Sequence, residues 1–183
     1  MKISMKKTFV TLTLGAVLLS TAAFAQSAAE KTGVNSTLGI APKTEDFIKE
    51  AALSDMTEID ASKIAEEKGN ADEKKFARQM ITDHTMTSSE LKSMVPAEMK
   101  SALPTALDDS SQKKVDKLRD TKPDDFAALF DPMQVSAHKD AVSLFERYAK
   151  GGDNPKLKDW ASKTLPALQH HLEMAQALDK NRK

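Results

Sequence analysis

Apolar residues recur at steps of three and four over four long stretches of the chain, which is the pattern of amphipathic helices. The predicted helices cover about 44–68, 71–95, 124–150 and 155–178, separated by glycine- or proline-containing breaks. Thr44 is the predicted N-cap of the first helix, and Pro132 and Pro166 are expected to kink the third and to bend or fray the fourth. No stretch alternates like a β-strand. The pattern therefore predicts an all-α protein.

The connections between these helices predict their arrangement. Short turns join the first helix to the second and the third to the fourth, so each pair should form an antiparallel hairpin. The connection between the second and third helices is much longer and contains a short, mostly solvated helix over 110–120. It is long enough to cross the bundle from end to end. The predicted fold is an all-α, ferritin-like antiparallel four-helix bundle with a long connection between its second and third helices.

The N-terminus has the features of an export signal. Basic residues come first, a nearly uncharged apolar run over 8–22 follows, and Ala23-Phe24-Ala25 supplies a small-x-small cleavage pattern. We expect residues 1–25 to be a signal peptide, 26–43 a flexible leader and 44–180 the four-helix-bundle domain. The protein is then expected to be exported, with the periplasm as the favoured compartment, and to have no stable membrane span after cleavage. An uncleaved anchor is the alternative.

Composition excludes several classes of function. Cleavage after Ala25 removes three lysines and no acidic residue, leaving 24 basic and 27 acidic residues and a net charge of −3. That charge argues against a nucleic-acid partner, while a homo-oligomer stays open. The chain has no cysteine, so it can form neither disulfides nor thiolate metal sites. Two motifs of hydrolases, Gly-x-Ser-x-Gly and His-Glu-x-x-His, are also absent.

Three of the four histidines fall on the apolar stripes of three different predicted helices. His84 follows Ala77 and Ile81 in one row, His138 lies in a row with Phe130, and His171 follows Leu168. Histidines that converge inside a bundle are either hydrogen-bonded core residues or metal ligands.

A carboxylate on the first helix completes a candidate ligand set. Counted from the turns, Glu58, His84 and His138 lie at similar depth, and His171 lies slightly deeper. The predicted metal ligands are Glu58, His84, His138 and His171. Asp55 and Asp83 are predicted to accept hydrogen bonds from the outer ring nitrogens. Such a set suits one transition-metal ion, namely zinc, copper or iron.

Four segments of the chain resemble a known bacterial family, the domain-of-unknown-function family 4142. They are Phe47–Ala65 (FIKEAALSDMTEIDASKIA), Lys75–His84 (KFARQMITDH), His138–Phe145 (HKDAVSLF) and Leu165–Ala175 (LPALQHHLEMA). The resemblance implies an exported, ferritin-like helical protein without an established activity. It also implies recurrent polar positions at Glu58, Asp83, His84, His138 and His171.

The chain departs from this family and from di-iron proteins at two places. The family's Phe-Asp-x-x-Tyr segment is here Phe126-Ala127-Ala128-Leu129-Phe130, without the acid and the phenol. The Glu-x-x-His ligand motif of di-iron bundles is missing, because Ile81 and Leu168 stand three residues before His84 and His171. Oxidase chemistry therefore does not follow from the fold.

Two functions stay open on the sequence. The first is an exported metal-binding or metal-buffering protein that uses the core histidines. The second is a non-catalytic structural or stress-protective periplasmic protein whose histidines are hydrogen-bonded core residues. Enzymatic oxidation at a metal is less favoured than either, because the ligand set is poor in carboxylates.

Overall fold

The computed structural model describes residues 28–30 and 32–182, and within them every regular element is helical. The all-α prediction is confirmed. The helices are α1 (Val34–Leu38), α2 (Thr44–Lys68), α3 (Ala71–Met94), α4 (Asp109–Asp120), α5 (Pro123–Gly151) and α6 (Pro155–Lys180), with a 3₁₀ segment at Ala97–Ala102. The four long helices, α2, α3, α5 and α6, begin and end close to the bounds that the apolar periodicity predicts. The predicted signal peptide, 1–25, lies outside the described residues.

The turn between α2 and α3 depends on a glycine and a capping box. The Asn70 side chain accepts from the backbone N–H groups of Asp72 and Glu73, and the Glu73 carboxylate accepts from the N–H of Asn70. A Cβ at Gly69 would lie 2.6 Å from the carbonyl oxygen of Ala65. The tight antiparallel hairpin of α2 and α3 therefore needs glycine at this position.

The start of α2 differs from the prediction. Lys43 is the N-cap residue, and Thr44 is already helical. The Thr44 hydroxyl instead lies 2.5 Å from the hydroxyl of Tyr148 and donates to the Asp153 carboxylate. The capping prediction was wrong because these tertiary contacts with the end of α5 take up the side chain that would otherwise cap its own helix.

Both internal prolines lie within continuous helices. α6 is helical through Pro166, without the frayed turn that was one expectation. In α5, Pro132 has no N–H to give to the carbonyl of Ala128, four residues earlier. The Arg182 guanidinium donates to that carbonyl instead, at 3.2 Å.

Two apolar clusters fill opposite ends of the interior. The Trp160 cluster contains Phe47 and Ile48 of α2, Leu91 of α3, Phe145 and Tyr148 of α5, and Leu157 and Trp160 of α6. The Phe130 cluster contains Ala61, Ile64 and Ala65 of α2, Phe76, Ala77 and Met80 of α3, Phe126 and Phe130 of α5, and Ala175 of α6. The start of α2 thus lies with the end of α3, the end of α5 and the start of α6. α2 and α3 form one antiparallel hairpin, α5 and α6 form the other, and α3 runs parallel to α5.

The connection from α3 to α5 consequently runs the length of the molecule. Ala102 of the 3₁₀ segment packs in the Trp160 cluster, whereas Val115 and Leu118 of α4 pack in the Phe130 cluster. At the far end the Lys68 ammonium donates to the carbonyl of Thr121 at 2.8 Å. These contacts attach the connection along the side of α2.

The segment predicted as a flexible leader is folded against α5 where the structure describes it. Glu30 and Asn35 are buried, and Glu30 pairs with Arg147. Asn35 donates to Glu30 at 2.9 Å, and Ser36 lies 3.0 Å from Ser143, hydroxyl to hydroxyl. The described part of the segment predicted as a flexible leader over 26–43 is therefore held against α5 by a buried ion pair and not by apolar periodicity.

None of the helices in the described part of the chain combines the length and the apolar character needed to cross a membrane.

Candidate metal centre

Three histidines form a polar layer between the two apolar clusters. His84 lies on α3 between Met80 of the Phe130 cluster and Leu91 of the Trp160 cluster, and His138 and His171 hold the corresponding positions on α5 and α6. Their exposed fractions are 2%, 2% and 4%. The three histidines that the helical rows predicted to point inward are thus buried, each on a different helix.

The three rings come together at one point. One nitrogen from each ring lies within 4.8 Å of the corresponding nitrogens of the other two. The ring centroids are 5.4 Å apart for His84 and His171, 5.6 Å for His138 and His171, and 5.8 Å for His84 and His138. Among the described residues, this is the group of three or more acidic or histidine side chains with the spacing to hold a metal ion.

Each ring is held in place by an acceptor on its outer side. Nδ1 of His84 lies 2.8 Å from the Asp55 carboxylate, and Nε2 of His171 lies 2.8 Å from the Asp83 carboxylate. Nδ1 of His138 lies 2.9 Å from the backbone carbonyl oxygen of Gln134, one helical turn earlier. Because these oxygens accept, the outer nitrogens donate.

The other nitrogen of each ring has no partner. Nε2 of His84, Nε2 of His138 and Nδ1 of His171 are buried and make no hydrogen bond. In a neutral imidazole whose outer nitrogen donates, the remaining nitrogen carries a lone pair. In the neutral form of each ring the partnerless nitrogen is therefore a buried lone pair without a donor, and buried polar groups without partners are rare in folded proteins. A cation among the rings would satisfy all three.

The environment favours the neutral form of two of the rings. Burial lowers the pKa of His171 to about 4, with repulsion from His84 and His138 acting in the same direction, although the hydrogen bond to Asp83 opposes it. Burial also lowers the pKa of His138, against the opposing charge of Glu58. Neutral imidazole is the form that binds metals.

His84 and Asp55 behave as a coupled pair. Burial works to lower the pKa of His84, but the hydrogen bond to Asp55 and the charge of Glu58 outweigh it, so that this pKa is raised. Burial raises the pKa of Asp55 despite the hydrogen bonds from His84 and Thr87. The hydroxyl of Thr87 lies 3.0 Å and 3.1 Å from the two carboxylate oxygens. A metal ion on Nε2 of His84 would displace any proton on that nitrogen, while Nδ1 keeps its hydrogen bond to Asp55.

Glu58 lies beside this group and not within it. Its side chain is buried on α2, and one carboxylate oxygen accepts from the Ser62 hydroxyl at 3.2 Å. Its negative charge nevertheless opposes the lowering effect of burial on the pKa values of both His84 and His138. The structure thus brings the three predicted histidine ligands together. It places Glu58, the fourth predicted ligand, close enough for its charge to act on the pKa values of His84 and His138.

The sequence did not point to the carbonyl of Gln134 or to Thr87. A backbone carbonyl leaves no signature in the residue type, and the only local signal is that Gln134 precedes His138 by one turn on the same helical row. The Gln134 amide is itself fully buried, and neither its oxygen nor its nitrogen has a partner. His170, in contrast, lies on the surface of α6 next to His171.

One protein family matches the chain over most of its length. A family described as "Domain of unknown function (DUF4142)" matches residues 29–178. The chain belongs to this family. The matched range begins at the segment that packs on α5 and includes every residue of the histidine layer, which agrees with one DUF4142 domain that starts before α2. No curated protein and no solved structure matches the chain.

Proposed function

We propose that this DUF4142 protein binds one transition-metal ion, zinc, copper or iron, through His84, His138 and His171. The observation that carries the proposal is the set of three partnerless buried nitrogens on rings whose other nitrogens are all hydrogen-bonded. Hydrogen-bonded outer nitrogens are the usual arrangement around metal-binding histidines, because they fix the tautomer and the ring orientation.

The spacing of the rings supports this proposal. Nitrogen ligands at about 2.0–2.1 Å from a tetrahedral zinc ion are roughly 3.4 Å apart. One nitrogen from each ring lies within 4.8 Å of those of the other two, so the rings would move closer together on binding the ion. Histidines that served only as core residues would be expected to use their inner nitrogens in hydrogen bonds as well.

Glu58 is the fourth ligand of this proposal. It lies on the one long helix that carries no histidine of the layer, and its charge acts on two of the three rings. To bind the ion its carboxylate would give up the hydrogen bond from Ser62. Asp55 and Asp83 then act as the outer acceptors that hold His84 and His171.

The setting of the site is part of the proposal. Two antiparallel hairpins with an end-to-end connection support a ferritin-like four-helix bundle. A basic, then apolar, N-terminus that ends in a cleavage pattern supports export to the periplasm. The function is then metal binding or buffering outside the cytoplasm.

Metal-dependent melting tests the proposal. Protein without residues 1–25 is made metal-free, and its melting temperature is followed with zinc, copper(II), iron(II) or manganese. A metal at a hundred times its dissociation constant adds about 2.7 kcal/mol to the free energy of unfolding, which raises the melting temperature measurably. At least one of the first three metals should produce this shift.

Two alanine variants provide the matched comparison. His171→Ala should abolish the shift, whereas the neighbouring surface variant His170→Ala should keep it. His171→Gln repeats the comparison with a side chain that fills the site. If no metal changes the melting temperature, or if both His171 variants keep the shift, the structural, non-catalytic alternative replaces metal binding.

A further inference from the structure

A cleft opens between α2 and α5 on the side of the molecule that carries Glu58. It encloses about 460 Å³ and is walled by Ser54 and Glu58 of α2 and by Ala137 and Asp140 of α5, among others. Residues of α4 and of the N-terminal segment close its ends. Glu58 is thus a wall residue of this cleft, and it is also a carboxylate whose charge acts on both His84 and His138.

The cleft has an excess of negative charge. Its basic lining residues are Arg147 and Lys114, and Arg147 is already paired with Glu30. Glu58 and Asp140 remain against the single ammonium of Lys114. Burial and the charge of Glu30 raise the pKa of Glu50 to about 7, so Glu50 adds its negative charge to the cleft as the pH rises above 7. A concave surface with one sign of charge concentrates counter-ions and accelerates their association.

Another cleft, between the start of α3 and the end of α6, is separated from the histidines by an aromatic ring. That cleft is lined by Asp131, Arg182, Ala177 and Phe76. The ring of Phe76 lies edge-to-face against the ring of His138, with centroids 6.0 Å apart. An apolar side chain therefore lies between this cleft and His138, whereas the first cleft is lined by Glu58, whose charge acts on His84 and His138.

We propose that the cleft between α2 and α5 is the entry route of a divalent cation to the histidine layer, with Glu50 and Asp140 attracting the ion and Glu58 passing it to His84 and His138. This inference rests on the proposed function. It adds the route by which the ion reaches the histidines. It also gives a role to Glu50 and Asp140, which do not bind the metal in the final complex.

Rates of metal exchange test the path separately from the site. Zinc loading of the metal-free protein, and zinc removal by excess chelator, are followed by stopped flow. Ala137→Trp fills the cleft and should slow loading and removal by the same factor, so that the dissociation constant stays the same. Ser54→Trp blocks the same cleft from the opposite wall and guards against a folding defect at Ala137.

Ala177→Trp, which places the same side chain in the second cleft, is the control and should exchange zinc at the wild-type rate. Above pH 7, where Glu50 is ionised, Glu50→Gln and Asp140→Asn should slow loading without changing removal, and should reduce the dependence of the loading rate on salt. If Ala177→Trp is slowed and the two cleft variants are not, the ion enters from the other side. If all variants bind zinc at wild-type rates, the path is wrong while the metal site stands; if the wild type binds no metal, both proposals fail.

Discussion

The Asp55 carboxylate lies 2.8 Å from Nδ1 of His84, and both side chains are buried between α2 and α3. Asp55→Asn preserves the size of the side chain and an acceptor oxygen but removes the charge. We expect it to weaken metal binding by about 10–100-fold, as for other outer partners of metal-binding histidines. Calorimetric titration of the metal-free protein measures this change.

Asp60→Asn is the control for this substitution. Asp60 is an exposed carboxylate on the same helix and pairs with Lys63 at the surface. It should leave the affinity unchanged. Equal affinities for wild type and Asp55→Asn would show that the pair is structural and does not tune a metal ligand.

The N-terminal segment depends on the Arg147–Glu30 pair, whose nitrogen and oxygen are 2.5 Å apart. Arg147→Met leaves the carboxylate of Glu30 buried without its cation, and removing one partner of a buried pair typically destabilises by about 3–5 kcal/mol. Urea unfolding should show this loss. Lys150→Met breaks an exposed pair one turn away and should change the free energy of unfolding by less than about 1 kcal/mol. Similar effects of the two substitutions would contradict the structural role of Arg147.

Tyr148 joins α5 to the start of α2 in two ways. Its ring stacks on Phe47 with centroids 3.9 Å apart, and its hydroxyl lies 2.5 Å from that of Thr44. Tyr148→Phe keeps the stack and should lose about 1 kcal/mol, the net contribution of a typical hydrogen bond. Tyr148→Ala also leaves a cavity and should lose about 3–5 kcal/mol. Thermal and urea unfolding would rank the two, and equal losses would mean that the hydroxyl dominates.

Asp131 makes the stability of the protein depend on pH. Burial raises the pKa of this carboxyl to about 7, and the negative charges of Glu73 and Asp179 act in the same direction, opposed by Arg182. The ordinary pKa of an aspartate is 3.8, so between about pH 4 and pH 7 the folded state retains a proton that the unfolded state has lost. This contribution to stability is complete below pH 4 and is lost as the pH rises through 7.

Asp131→Asn should therefore be more stable than wild type at pH 8, with a smaller decline of stability between pH 4 and pH 7. Urea unfolding at several pH values measures both effects. Asp125→Asn, at an exposed position near the start of the same helix, should follow the wild-type profile. A wild-type profile for Asp131→Asn as well would show that this carboxyl is ionised in the folded protein.

The long helices were predictable because residues close to each helix boundary determine where the helix begins or ends. Apolar periodicity, the Gly69-Asn70 break and the proline at the start of α6 act within a few residues of the boundary that they define. The packing of residues 28–42 could not be predicted in this way. It depends on Glu30 meeting Arg147, more than a hundred residues later, and nothing local in either segment indicates that contact.

The histidine layer was predictable to a similar extent. Helical rows placed His84, His138 and His171 inside, and the structure brings them together and sets Asp55 and Asp83 on two of the rings. The role of Glu58 as a ligand stays a prediction. Counting residues from the turn gives the position of Glu58 along the helix axis, but the direction of its carboxylate depends on how the helix is rotated about that axis. The acceptor for His138 was missed because it belongs to the backbone.

The histidine layer draws His84 from one hairpin and His138 and His171 from the other. The chain itself joins these hairpins only through the connection that runs along α2, and it has no cysteine with which to add a covalent link. An ion held by the three rings would be a second link between them. The hairpins could then separate only after the ion had left, so the lifetime of the folded, metal-loaded protein would be governed by ligand exchange at the metal.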